Sequence, residues 1–189
     1  MLRCGLLGGK LGHSYSPAIH HELGDYAYRL YEKTPEELPA FLTGGSFDGL
    51  NVTIPYKKAV MPYCAALSET ARRVGCVNTL VRRADGTLYG DNTDVFGFER
   101  MLRATAVCPE GKKALVFGSG GASATACDVL GRAGAQVVCI SRSGADNYEN
   151  LSRHRDAQIL VNTTPLGMYP NNGAAPADLR AFPHCACVL

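Results

Sequence analysis

The stretch Ala114-Leu115-Val116-Phe117-Gly118-Ser119-Gly120-Gly121-Ala122-Ser123 joins a short apolar run to a glycine-rich turn. The unbroken apolar run predicts a buried strand, and the alanine-rich segment from Ala122 to Gly131 predicts a helix. A second apolar run, Ala135 to Ile140, completes a strand–helix–strand unit. Glycines in such a turn let the chain bend tightly and bring backbone N–H groups against a diphosphate at the positive end of the helix. The spacing is not the usual G-x-G-x-x-G, because a further glycine follows the second and Ser123 fills the last slot. Any tight strand–helix turn can recruit glycine. The order of strand, turn, helix and strand is what favours a dinucleotide.

The end of the second strand discriminates between cofactors. NAD sites place an acidic residue there to accept hydrogen bonds from the ribose 2′-hydroxyl. This chain has Ser141-Arg142-Ser143 instead. An arginine can pair with a 2′-phosphate and stack on adenine, with hydroxyl donors beside it, so NADP is favoured over NAD. The bland alternative for Arg142 is a solvated surface residue, and no second basic residue follows closely.

Outward from this unit, short strand-like runs alternate with helical stretches, which predicts an α/β fold with largely parallel sheets. Leu2 to Leu7, Tyr26 to Tyr31 and Phe47 to Thr53 read as strands. Ser16-Pro17 reads as an N-cap followed by proline, opening a helix to about Leu23. Thr34-Pro35-Glu36-Glu37 repeats that signature before a helix to about Leu42. Helical segments are expected from Pro55 to about Val74. A hairpin around Ala84-Asp85-Gly86 and a helix from Thr93-Asp94 to Arg103 follow. A further strand, Gln158 to Val161, precedes a loop rich in Pro, Gly and Asn. Two domains are expected, a substrate domain over 1–104 and a Rossmann-like NADP domain over 105–189. Cys185 to Leu189 reads as a buried strand cut off partway, so truncation is expected.

Composition narrows the class of function. The 189 residues carry a net charge of +2, too little to suggest nucleic acid or an anionic membrane surface. No apolar run is long enough to span a bilayer, and no signal peptide opens the chain, so a cytoplasmic protein is expected. The eight cysteines show no C-x-x-C pair or zinc-finger spacing, and no metal is expected. Most sit in apolar runs such as Val137-Val138-Cys139-Ile140 and read as buried, reduced thiols.

Four polar motifs occupy the first half: His13-Ser14-Tyr15-Ser16-Pro17, Asn51-Val52-Thr53-Ile54-Pro55-Tyr56-Lys57, Gly75-Cys76-Val77-Asn78-Thr79 and Gly90-Asp91-Asn92-Thr93-Asp94. Paired hydroxyls at a helix start suit a carboxylate. Singly, each motif has a structural reading: Ser16 as a cap, Asn92 in a turn, Asp94 at a helix start, Lys57 on the surface. Together, in this order, and with Gly118-Ser119-Gly120-Gly121-Ala122 and Asn162-Thr163-Thr164-Pro165-Leu166-Gly167-Met168, they resemble the shikimate dehydrogenase family over nearly the whole chain.

The resemblance implies reversible reduction of 3-dehydroshikimate to shikimate with NADPH, in aromatic amino-acid biosynthesis. It implies that Ser14 and Ser16 hold the substrate carboxylate, and that Thr53, Asn78 and Asn92 bind its hydroxyls and reacting oxygen. Lys57 and Asp94 are implied as the catalytic pair. Gly118, Ser119, Gly120, Gly121 and Ala122 would cradle the diphosphate, Ser141, Arg142 and Ser143 the 2′-phosphate, with Thr164 and Met168 near the nicotinamide. Hydride delivery to a ketone builds charge on oxygen and needs a proton donor, a role suited to Lys57.

Two departures from the family pattern carry expectations. Gly144, Ala145 and Asp146 stand where the family usually has a further basic residue, and the short segment before Gln158 predicts a trimmed sheet edge beside Arg142. The family also continues past this point to segments touching substrate and nicotinamide, so the chain as given is expected to be a poor catalyst. Quinate/shikimate dehydrogenase and a non-catalytic shikimate-binding relative are the alternatives. A folate-type dehydrogenase fits the paired serines less well. A monomer or homodimer acting on a small molecule is expected.

Overall fold

In the computed structural model, which describes residues 1–12, 14–169 and 172–189, the chain divides into two α/β units, Met1–Thr93 and Asp94–Leu189. His13 of the first polar motif lies outside the described residues. The first unit contains β1 (Arg3–Gly8), α1 (Ser16–Leu23), β2 (Ala27–Glu32), α2 (Leu38–Gly44), β3 (Gly49–Val52), β4 (Cys64–Leu67), α3 (Glu69–Val74), β5 (Thr79–Arg82) and β6 (Leu88–Asp91). Its sheet runs β2-β1-β3-β5-β6-β4. Strands β1, β2 and β3 are parallel, β3–β5 and β5–β6 are antiparallel, and β4 joins β6 in parallel.

The period-two pattern of these strands places Leu7, Leu50, Val52, Leu80 and Leu88 in one cluster with Leu38, Leu42, Phe47 and Val60. Truncating a fully buried member such as Leu7 to alanine costs about 2–5 kcal/mol. Local chemistry sets the helix starts. Thr34 and Glu37 form the reciprocal pair of a capping box, with Thr34 N–H donating to Glu37 Oε2 at 2.9 Å and Glu37 N–H to Thr34 Oγ1 at 3.4 Å. Ser68 Oγ caps α3 by accepting from the Ala71 N–H at 2.9 Å, and Gly75 ends it at φ +72°.

Two local expectations change. Ser16 is the first helical residue of α1 and no cap: Tyr15 holds the cap position, and Ser14 Oγ accepts the Ser16 N–H at 3.2 Å in a turn just ahead of the helix. Cys64–Leu67, expected to be helical, is an edge strand, because pairing with β6 supplies hydrogen bonds that an isolated helical turn lacks.

The second unit contains α4 (Asp94–Ala104), β7 (Lys113–Phe117), α5 (Gly121–Arg132), β8 (Gln136–Ile140), β9 (Ile159–Asn162) and β10 (Cys187–Val188). All its strands are parallel, in the order β10-β9-β7-β8. This is the Rossmann-like arrangement. Leu115 and Phe117 pack with Ile140, Leu160 and Phe182 on one face of the sheet. On α5 the buried side chains are Ser123, Thr125, Ala126, Val129 and Leu130. Helix α4 lies against α5, where Arg132 Nη1 donates to Glu99 Oε1 at 2.9 Å. The boundary expected at 104/105 lies at the C-terminal end of α4.

Strand β8 is the outer strand on its side, which explains another change. Cys139, read as buried from its apolar run, is exposed and directs its Sγ to the Gly118 carbonyl at 3.0 Å. Cys108 is exposed as well, whereas Cys76 and Cys187 are buried. Among the described residues, no helix is long and apolar enough to cross a membrane.

Candidate active site

In the first unit the polar motifs gather where β1 and β3 end and the β5–β6 hairpin opens and closes. The Thr53 N–H donates to the Leu7 carbonyl at 2.9 Å, and the Gly9 N–H to the Ile54 carbonyl at 3.1 Å, so the Gly8-Gly9 turn lies beside Thr53-Ile54. The approach at Gly8 is close, since a Cβ would lie 2.6 Å from Leu11 Cδ2 and 2.7 Å from Thr53 Cγ2. The Val52 N–H reaches the Asn78 carbonyl at 2.7 Å, and the Val77 N–H reaches the Lys57 carbonyl at 2.7 Å. These main-chain bonds bring half-buried Lys57 and Thr53 beside Asn78.

Asn78 is the organising side chain. Its Oδ1 accepts from the Thr93 N–H at 2.8 Å and the Thr79 hydroxyl at 2.9 Å, while its Nδ2 donates to Thr93 Oγ1 at 2.9 Å. Asn78 is 8% exposed, so satisfying its amide matters to stability as well as to placement. Asn92, 3% exposed, donates from Nδ2 to the Cys76 carbonyl at 3.0 Å. Thr93 was not singled out from sequence. The signal was available: the dipeptides Asn78-Thr79 and Asn92-Thr93 flank one hairpin, and the Thr79↔Asp91 register sets them side by side.

Ser14 and Ser16 lie at the start of α1. Tyr28 on β2 donates from its hydroxyl to Asn51 Oδ1 at 2.8 Å. Burial pushes the Tyr28 phenol up to about 12, against the opposing pull of its hydrogen bond with Ser16. Tyr28 thus stays protonated and links Ser16 to the end of β3. Asp94, the remaining expected catalytic residue, is the first residue of α4 in the second unit.

The second unit brings the expected cofactor residues to one edge. Register pairs Phe117 with Ile140 and with Asn162, so three segments leave the sheet together at its carboxyl edge: Gly118–Gly121, Ser141–Ser143 and the turn from Asn162 to Met168. Open parallel sheets bind ligands at such an edge, where neighbouring connections diverge. Gly118 has φ +120°, and a Cβ there would lie 2.5 Å from Thr163 Oγ1. Gly120 differs: a Cβ on it would meet nothing within 4 Å among the described residues. No side chain caps α5 at Gly120 among the described residues, so the positive end of a twelve-residue helix faces that open space. These features fit a dinucleotide diphosphate.

Ser119, Ala122, Arg142 and Ser143 are exposed, as a ligand-facing surface requires. Ser123 is turned inward, donating to the Gly118 carbonyl at 2.8 Å and bracing the turn. Thr164 donates from Oγ1 to Asn162 Oδ1 at 2.7 Å, and Gly167 adopts φ +85°. Met168 is 62% exposed. A recess of about 240 Å³ lined by Phe117, Leu166, Gly167 and Val188 adjoins this turn.

A mixed α/β unit carrying a polar cluster, joined to a parallel-sheet unit with an open glycine turn, defines a two-unit nucleotide-dependent α/β protein. The family profile described as the shikimate dehydrogenase substrate binding domain matches residues 6–80. A shikimate dehydrogenase (NADP(+)) from Methanopyrus kandleri is 37% identical over 204 residues, covering 91% of this chain and 70% of that protein. The crystal structure of shikimate dehydrogenase 1 from Peptoclostridium difficile superimposes with a TM-score of 0.86 at 35% identity, covering 96% of this chain and 74% of that one. The shikimate 5-dehydrogenase from Thermus thermophilus, solved with NADP(H) and shikimate, gives a TM-score of 0.84 at 33% identity, covering 100% of this chain and 77% of that one. The chain belongs to the shikimate dehydrogenase family.

Proposed function

We propose that the chain is an NADP-dependent oxidoreductase that interconverts 3-dehydroshikimate and shikimate, with Lys57 and Asp94 as its catalytic pair. The observation that carries the cofactor half is the shared carboxyl edge of the parallel sheet, where the turn of Gly120, with open space at its Cβ position, and the segment Ser141, Arg142 and Ser143 leave the neighbouring strands β7 and β8. Relatives named as NADP(+) enzymes, and one solved with NADP(H) and shikimate, support the same reading.

In this reading Gly118, Ser119, Gly120, Gly121 and Ala122 hold the diphosphate, and Ser141, Arg142 and Ser143 hold the 2′-phosphate. Thr164 and Met168 lie towards the nicotinamide, which supplies or accepts the hydride at the substrate carbon. Ser14 and Ser16 bind the substrate carboxylate, and Thr53, Asn78 and Asn92 its oxygens. Lys57 then gives a proton to the oxygen that gains charge as the ketone is reduced, and recovers it in the reverse direction. Asp94 orients the ammonium and accepts a hydrogen bond from a substrate hydroxyl. Steady-state kinetics of Lys57→Ala test the assignment. A kcat lowered by about 10²–10⁴-fold, with substrate affinity nearly intact, is expected from loss of a positioned proton donor. A near-normal kcat overturns it.

A further inference from the structure

The turn that follows β8 is more tightly built than its exposure requires. The Ser141 N–H donates to the Asp146 carbonyl at 3.2 Å, closing the segment on itself with Arg142 and Ser143 at its exposed tip. A Cβ on Gly144 would lie 2.7 Å from Ser141 Oγ and 3.0 Å from the Asp146 carbonyl oxygen, so the turn is closely packed there. Behind the tip, Asn147 Nδ2 donates to the Gly144 carbonyl at 3.3 Å and Asn150 Nδ2 to the Ala145 carbonyl at 2.8 Å. Tyr148 and Leu151 pack onto the cluster of Phe117 and Phe182, fixing the base of the turn to the core.

The Asp146 carboxylate belongs to this turn but is directed onto His154, with Oδ1 2.8 Å from Nε2. His154 is 8% exposed, and its Nδ1 is buried with no hydrogen-bond partner among the described residues. An ionised carboxylate can only accept, so the ring donates to Asp146 from Nε2.

A carboxylate in this turn that reached the tip would pair with Arg142 and repel a phosphate. We infer that His154 is a positioning residue for cofactor selection: it holds the Asp146 carboxylate at the base of the turn and leaves Arg142, Ser141 and Ser143 disposed for a 2′-phosphate. The inference rests on the reading of this unit as an NADP site.

Calorimetric titration of the chain with adenosine 2′,5′-bisphosphate and with 5′-AMP tests it, since the two ligands differ in the 2′-phosphate alone. His154→Ala releases the carboxylate and is expected to weaken the bisphosphate about tenfold, an effect that salt screens, with 5′-AMP unchanged within about twofold. Adding Asp146→Asn in that background is expected to restore most of the loss. Asp146→Asn alone keeps an acceptor for His154 and deletes the charge, so it should bind the bisphosphate at least as tightly as the unaltered chain. Unchanged affinities in His154→Ala, equal losses of both ligands, or no recovery in the double variant overturn the inference. If His154→Ala fails to fold, weaker bisphosphate binding by Asp146→Asn with unchanged 5′-AMP binding overturns it. Equal affinity of the unaltered chain for the two ligands instead refutes the NADP reading, and the inference with it.

Discussion

Gly118 and Gly120 stand two residues apart in one turn, yet substituting alanine at each should have opposite consequences. At Gly118 an added Cβ lies 2.5 Å from Thr163 Oγ1 and 3.3 Å from the Thr163 backbone. Thr163 cannot easily give way, because its hydroxyl and its N–H both bond the Phe117 carbonyl, at 2.6 and 2.9 Å. A φ of +120° adds about 1–3 kcal/mol of backbone strain for an L-residue, and overpacking a further 1–3 kcal/mol or so. Gly118→Ala should thus destabilise the second unit by about 2–6 kcal/mol. At roughly 4–8 °C per kcal/mol for a unit of this size, its melting point should fall by about 10 °C or more. Gly120 has φ −86° and open space around its Cβ position, so Gly120→Ala should cost less than about 1 kcal/mol. Its methyl group, however, would stand in the space over the helix end, and NADPH affinity should fall about tenfold or more as phosphate contacts at that end are lost. Thermal unfolding paired with fluorescence titration of NADPH reads both effects. A folded Gly120→Ala protein that binds NADPH with unchanged Kd would show that the diphosphate does not lie over Gly120.

Arg82 donates to the carbonyls of Phe47, Gly86, Leu42 and Gly45 and stacks 4.3 Å from the Phe47 ring centroid, so it ties the end of α2, the α2–β3 connection and the β5–β6 turn together. Arg82→Lys keeps the charge but loses the planar fork, and should cost about 2–4 kcal/mol in urea unfolding. Thr93→Val removes the hydroxyl that accepts from Asn78 Nδ2 at 2.9 Å; a raised KM for shikimate with a smaller change in kcat is expected from initial rates. Arg3, by hydrogen bonds from its side chain and N–H, holds the Asp48 carboxyl below its ordinary range. A depressed carboxylate stabilises the fold above its unfolded pKa and loses that contribution as pH falls through its folded pKa. The acid limb of stability against pH should therefore flatten in Asp48→Asn, as seen by circular dichroism.

Much of the fold was legible because its decisive elements are local. The strand–turn–helix–strand of the second unit is carried by contiguous apolar runs and glycines, and the Thr34–Glu37 cap by two residues three apart. What stayed hidden depends on pairing between distant segments. Cys64–Leu67 is a strand solely because β6 receives it, and Cys139 is exposed solely because β8 is outermost. The same holds at the site. The glycine turn pointed to Gly118, and the family resemblance carried by the ordered motifs pointed to Lys57, Asn78 and Asn92, whereas Thr93 and the Asp146–His154 pair became visible only once hairpin register and the closed turn were in place.

The most direct measurement compares initial rates of the chain with shikimate or quinate against NADP⁺ or NAD⁺, alongside the Lys57→Ala variant. The expected result is turnover, whatever its absolute rate, with the highest kcat/KM for shikimate and NADP⁺ and its loss in Lys57→Ala. Highest kcat/KM for quinate and NAD⁺, or binding of shikimate and NADPH with no turnover above that of Lys57→Ala, would contradict it.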